Sequence, residues 1–273
     1  MREIYFYTDI DHTLTDENGS IPGEIWKTFL ASLIGLSSLR FNFGVATGRG
    51  FLRALQVLDS SLNPNLPIIV LNGAEVYSHE QQNKPIFSFP LGKELRGEIT
   101  PVLNRFYKEV KLAAFYPIGE RQAFIYAEDS VMEQIRKNPN LRRVLKKGTY
   151  NMGDFIEWLK QNETGMVEIS LNQPHLQLSD EFNQGLNISF DNTWLITREG
   201  VNKGTTVRRV CDELNISSEN LIVAGDSQTD IPMFRLPEVT SIQVGNKDLG
   251  VITTYRVDSP SGLAYLLKSL CFK

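Results

Sequence analysis

Two carboxylates, Asp9 and Asp11, flank one apolar residue in Asp9-Ile10-Asp11-His12-Thr13, directly after the run Ile4-Tyr5-Phe6-Tyr7-Thr8. A β-branched and aromatic run of this kind predicts a buried strand. Acids placed at its end are costly unless a metal, hydrogen-bond donors or a substrate meet them. In extended backbone, side chains two apart share a side, so Asp9 and Asp11 can converge on one point while Ile10 returns to the core. We read the stretch as a catalytic loop. An ordinary acidic turn fits it too, because Asp is common in turns, and the decision rests with what the rest of the chain brings beside it.

Four further apolar runs end in the same manner. Phe41 to Ala46 stops at Thr47-Gly48-Arg49 and leads into a helical pattern with Leu52, Leu55 and Leu58. Pro67 to Leu71 stops at Asn72-Gly73-Ala74, and Leu221 to Ala224 stops at Gly225-Asp226-Ser227-Gln228-Thr229-Asp230. Ser241 to Val244 stops at Gly245-Asn246. Helical patterns lie between the runs. Pro22 precedes a face of Ile25, Trp26, Phe29, Leu30, Leu33 and Ile34, and Asn202 can cap a helix from Lys203 with Val207, Val210, Cys211 and Leu214 on one side. A last pattern runs from Ser261 to Leu270. Alternating strands and helices predict an α/β fold with a doubly wound parallel sheet. Strand ends in such a sheet lie along one edge, where ligands bind, so Asp9, Thr47, Asn72, Asp226 and Asn246 are expected to line one crevice.

From about Ser78 the pattern changes to alternating runs, as in a sheet with one wet face. Helices are expected over Gly92 to Tyr107, Ser130 to Lys137 and Met152 to Gln161. Strands are expected over Leu112 to Tyr116, Ala123 to Tyr126, Met166 to Leu171, Leu186 to Phe190 and Thr193 to Thr197. The mixture suggests an antiparallel α+β module. The chain thus divides into a core of residues 1–80 and 200–273 and an inserted cap of residues 81–199. Because the insertion leaves and returns at the ligand-binding edge, it is placed to cover the crevice as a lid.

With 273 residues and 41% hydrophobic content the chain can build a real core, and 22% charged residues argue against disorder. A formal charge of −4 gives no broad positive field for nucleic acid. Two cysteines make no disulfide framework. No leader pattern opens the chain and no apolar run reaches a membrane span, so a cytoplasmic protein without a membrane partner is expected. His79 and His175 lack metal-ligand spacing. Arg142, Arg143, Lys146 and Lys147 form a basic cluster that could draw anionic substrates or simply face solvent.

Asp9-x-Asp11-x-Thr13, Thr47-Gly48-Arg49, Lys203 and Gly225-Asp226-x-x-x-Asp230, in this order, resemble the four motifs of the haloacid dehalogenase superfamily. The long insertion resembles the type-two cap of its Cof-like and sucrose-phosphatase-like branch. The motif match covers about half the chain, at both ends. A lone Asp-x-Asp would be weak, but four elements in order are specific.

The resemblance implies a Rossmann-like core and a phosphatase. Uncatalysed phosphate-monoester hydrolysis needs up to about 10²¹-fold acceleration, more than one carboxylate can supply. Asp9 is then the nucleophile that forms an aspartyl phosphate, and Asp11 the general acid and later the base, or else only a second metal ligand. The implied cofactor is Mg²⁺, held by Asp9, Asp226 and the backbone carbonyl of Asp11. That sharing requires the oxygens of Asp9 and Asp226 to lie within about 10 Å. Thr47, Gly48, Arg49 and Asn72 would bind substrate, Lys203 would neutralise Asp9 and the phosphoryl group, and Asp230 and Thr13 would support from behind. Two positions depart from the family pattern: His12 stands where Gly is usual, and Thr229 where Asn is common, although trehalose-phosphate phosphatases look similar there. The implied substrate is a small phosphorylated metabolite, a sugar phosphate first. A phosphomutase of the same fold and a non-catalytic sugar-phosphate-binding regulator are the alternatives.

Overall fold

The computed structural model describes all residues except 34–37, 59–61, 79, 81–83, 174–181, 183–184, 191–192 and 273. The expectations for Ile34, His79 and His175 therefore lie outside the described residues. The first part of the core contains β1 (Arg2–Thr8), α1 (Gly23–Leu33), β2 (Leu39–Ala46), α2 (Phe51–Leu58), β3 (Ile68–Val70), β4 (Glu75–Tyr77) and β5 (Pro85–Ser88). The insertion follows with α3 (Lys93–Arg105), β6 (Val110–Pro117), β7 (Ala123–Ala127), α4 (Asp129–Lys137), α5 (Pro139–Arg143) and β8 (Leu145–Thr149). It continues with α6 (Met152–Gln161), β9 (Thr164–Leu171), β10 (Leu186–Phe190) and β11 (Trp194–Arg198). The chain returns to the core with α7 (Lys203–Glu213), β12 (Leu221–Gly225), α8 (Ile231–Phe234), β13 (Thr240–Val244), β14 (Tyr255–Val257) and α9 (Pro260–Cys271).

The core sheet has eight strands in the order β14-β13-β12-β1-β2-β3-β4-β5. The strands from β14 to β3 are parallel, while β4 and β5 add an antiparallel edge. The order β3-β2-β1-β12-β13-β14 is that of a doubly wound Rossmann-like sheet, whose direction of winding reverses between β1 and β12. Aromatic packing seats α1 on this sheet: Phe29 meets Phe41 edge-on at 5.3 Å and Phe6 stacks on Phe43 at 5.9 Å. Pro85–Ser88, assigned to the insertion on sequence, pairs instead with β4 in the core sheet. At four half-exposed residues, β5 carries too short an alternation to read as a core edge.

The six cap strands run β10-β11-β9-β6-β7-β8. All pair antiparallel except β7 and β8, which are parallel and joined by the α4–α5 crossover. This corrects the expectation of a purely antiparallel module. β8 reads Leu-Lys-Lys-Gly-Thr, an edge strand whose lysines hide it from an apolar-run search. Alternation sets the two faces of the cap sheet. Phe115, Phe124 and Val167 pack beneath α3 and α6, while Ala114, Tyr116, Ile125 and Met166 join the cluster that includes core residues. The basic cluster does not hold together: Lys146 pairs with Glu120 at 2.6 Å and Lys147 lies 4.1 Å over the Trp158 ring. Among the described residues no helix is long and apolar enough to cross a membrane.

Candidate active site

Asp9 follows the last residue of β1, and its backbone N–H still pairs with the Ala224 carbonyl of β12 at 3.0 Å. It therefore sits at the reversal of winding, where two neighbouring strands diverge and leave a crevice. Gly225 ends β12, and a Cβ there would run into the Asp230 side chain, so glycine is what lets that carboxylate fold back over the strand end. Asp230 Oδ2 accepts the backbone N–H groups of Asp226 and Ser227, both at 3.0 Å, and the Ser227 hydroxyl at 3.2 Å. Its Oδ1 accepts from Lys203 Nζ at 2.7 Å. Asp230 thus ties the Asp226 loop to the lysine.

Lys203 opens α7, whose N-terminus is held by a reciprocal pair in which Asn202 Oδ1 accepts from the Thr205 N–H at 2.9 Å. Its ammonium also lies 2.9 Å from Asp9 Oδ1. This second contact is an ion pair without hydrogen-bond alignment, because Asp9 Oδ1 has no hydrogen-bond partner among the described residues. Burial works against the Lys203 charge, yet Asp230 and Asp9 outweigh it and hold the ammonium above its usual pKa. Burial pushes the Asp9 carboxyl up, and Asp230, Asp226 and Asp11 push the same way against Lys203.

Asp9, Asp226 and Asp230 each offer an oxygen within 4.8 Å of the others. The separation of Asp9 and Asp226 is therefore short enough for a shared ion. With one buried ammonium shared between Asp9 and Asp230 and a third carboxylate beside them, the donor set lacks positive charge. Hard oxygen ligands with this charge deficit fit Mg²⁺. Asp230 already spends both oxygens on Lys203 and on the loop that carries Asp226. Thr13 steadies the latter, donating from Oγ1 to Asp226 Oδ1 at 3.0 Å.

Asp11 is held differently. Arg49 donates to it through Nε at 2.8 Å and through the terminal Nη2 at 2.5 Å, a two-pronged pair. Burial raises the Asp11 pKa, but Arg49, then Arg53 and Lys203, bring it below the usual carboxylate value. Thr47 is fully buried, and its Oγ1 accepts from the Arg49 N–H at 3.2 Å.

A cleft of about 150 Å³ opens on Asp9, Asp11, Gly48, Arg49, Lys203 and Thr229 from the core. Glu168, Thr193 and Leu195 close it from the cap. Thr229 shares a 2.8 Å hydrogen bond with Ser227, so the position that departs from the family pattern is occupied by a loop contact. His12 is exposed at φ 54, in the left-handed region where glycine meets no Cβ penalty. Two expectations for the crevice do not match this arrangement. Asn72 is buried in the left-handed region and its amide donates to Ser189 of β10 at 3.2 Å, so it faces a cap strand. Asn246 is exposed and does not line the cleft, because β13 lies two strands from β1.

Arg53 and Glu168, both lining the cleft, escaped the sequence reading. Arg53 stands in the first turn of α2, four residues after Arg49, and lines the same space. Glu168 interrupts the apolar strand Met166-Val167-Glu168-Ile169, and a charge placed there was the available signal.

The haloacid dehalogenase-like hydrolase model matches residues 6–254. A Mycoplasma genitalium protein proposed to be a phosphatase is 24% identical over 275 residues, covering 95% of each chain. Among solved structures, a haloacid dehalogenase-like hydrolase from B. subtilis superposes with a TM-score of 0.78 at 14% identity, covering 97% of this chain and 99% of the other. A sugar phosphatase of haloacid dehalogenase subclass IIB gives 0.73 at 17% identity, with 98% of each chain covered.

Proposed function

The chain belongs to the haloacid dehalogenase-like hydrolase family, and from that premise we propose that it is a magnesium-dependent phosphatase of small phosphorylated metabolites. The observation that carries this reading is the charge imbalance at the strand reversal. Two buried carboxylates, Asp9 and Asp230, share the single ammonium of Lys203, and the half-buried Asp226 offers an oxygen to the same group. Mg²⁺ bound by Asp9, Asp226 and the Asp11 carbonyl would neutralise charge on the transferring phosphoryl group.

Asp9 attacks phosphorus, an Asp9 O–P bond forms, and the P–O bond to the alcohol breaks. Asp11 gives its proton to the departing oxygen. Water then attacks phosphorus, Asp11 takes the water's proton, and the Asp9 O–P bond breaks to release phosphate. Arg49 holds Asp11 in the ionised form suited to the second step. Proton donation in the first step requires that pair to loosen, as it can when an incoming phosphate competes for the guanidinium. Lys203, tethered by Asp230, favours the Asp9 anion against the burial and neighbouring acids that raise its pKa, while Gly48 lines the cleft where the phosphoryl group would sit and the buried Thr47 holds the Arg49 N–H behind it.

The subclass IIB likeness makes sugar phosphates the first substrate class to try. Purified protein with Mg²⁺ should release phosphate from some member of a panel of sugar phosphates and aryl phosphates. Asp9→Asn should lower that rate by about a thousandfold or more. Phosphate release unchanged in Asp9→Asn would place the nucleophile elsewhere.

A further inference from the structure

The inner face of the cap contains a second cavity, of about 240 Å³, beside the catalytic cleft. Ala114 of β6, Ile125 of β7, Val131 and Ile135 of α4 and Leu141 of α5 supply its walls. Arg53 and Glu168 line this cavity and the catalytic cleft alike, so the two spaces are neighbours across one pair of charged side chains. Arg53 lies beside Tyr116, and both line the chamber. The cap is seated closely here: a Cβ on Gly50, at the start of α2, would collide with the Tyr116 ring.

The chemistry of the two spaces differs. The cleft around Asp9 offers carboxylates, an ammonium and a guanidinium. Beyond Arg53, Glu168 and Tyr116, the walls of the chamber are hydrocarbon apart from the exposed Gln134. A polyol placed among Ala114, Ile125 and Ile135 would surrender its water without finding partners, a costly exchange. An apolar group would bring the contacts that an empty hydrocarbon cavity lacks. A molecule whose phosphate lies at Asp9 and whose far end is apolar would meet matching surfaces throughout.

We propose that this chamber selects the leaving alcohol. The substrate class is a phosphomonoester with a hydrogen-bonding group near the phosphate, for Arg53 and Glu168, and an aromatic or branched aliphatic body beyond it. The position of the phosphate rests on the phosphatase reading above. A sugar phosphate satisfies the chamber when it carries such a body; an unsubstituted hexose phosphate does not.

The test measures binding first, so that it does not depend on turnover. With Mg²⁺ present, calorimetry compares 3-phenylpropylphosphonate with propylphosphonate. The native protein should bind the phenyl compound about tenfold or more tightly than the shorter one. Val131→Asp, at a half-buried position on α4, should abolish that preference while leaving propylphosphonate affinity within about twofold. Ala114→Leu, which fills the chamber from the sheet side, should do the same. Equal binding of the two phosphonates by the native protein overturns the proposal, as do variants that weaken both ligands alike. Phosphate release from the corresponding monoesters is followed in parallel. Preferential binding without release sinks the phosphatase reading and leaves the chamber standing; release without preference does the reverse.

Discussion

On the core side of the cleft, Lys203, Asp9 and Asp230 are buried charges held at 2.7 and 2.9 Å, each placed by a strand end or a helix start. On the cap side, Tyr116 and Leu195 approach by shape, with Gly50 clearing space for the Tyr116 ring, and Glu168 is the charged exception. The core wall resists change because removing one charge strands another in a medium that solvates neither. The cap wall rests on complementary surfaces, where a modest change in volume is felt as a shift in fit. The comparison teaches that the two walls are held by different interactions: charge networks that fail together, and packing that can be adjusted piece by piece.

The sharpest way to break this contrast is Lys203→Met. It leaves Asp9 and Asp230 facing each other without their ammonium, and a loss of about 3–5 kcal/mol of stability is expected, read by urea unfolding. Adding Asp230→Asn should restore part of that stability while phosphate release stays low. If the single variant melts like the native protein, the core wall is not the charge-locked structure described.

Glu75 sharpens the comparison because it is a charge used to seat the cap. Buried in β4, it accepts from the Gly119 N–H of the cap at 2.9 Å and from the Tyr77 hydroxyl at 2.6 Å. Burial pushes its carboxyl up to about 7, against the opposing hydrogen bonds from Tyr77 and Gly119. The folded form therefore holds a proton more tightly than the unfolded chain does. The associated stability is complete below about pH 4.5 and is lost as the pH rises through about 7. The drop should be about 3 kcal/mol, and Glu75→Gln should flatten it. Unfolding followed at a series of pH values decides; a native profile with no fall across that window contradicts the assignment.

A smaller effect is expected at the packed wall itself. Gly50→Ala places a methyl group against the Tyr116 ring and should cost about 1–3 kcal/mol, with a raised KM and a less affected kcat. Thermal melting and steady-state kinetics measure both. A variant with native stability and native KM would mean that the cap can move aside freely, and the contrast between the two walls would weaken.

The chemistry-bearing residues were legible because each occupies a locally determined position. Asp9, Thr47 and Asp226 follow short apolar strands, and Lys203 follows a helix-capping asparagine, signals that depend only on near neighbours in the chain. The same local logic missed β5 and β8, whose short or lysine-bearing edges carry little apolar pattern. It also grouped Lys146 and Lys147 with Arg142 and Arg143, because adjacency along the chain was all it could measure.

Sequence by itself determined the alternation of the main core strands and helices, the parallel core and the set of polar residues at its strand ends, since periodicity and capping are short-range properties. Only the tertiary structure decided that Asn72 turns to Ser189, that Asn246 stays outside the cleft, that Arg49 clasps Asp11, and that Arg53 and Glu168 join the two cavities. Those outcomes depend on which strand lies beside which and on how the cap face meets the core. Such pairings link residues from 38 to 117 positions apart, and no local pattern encodes them.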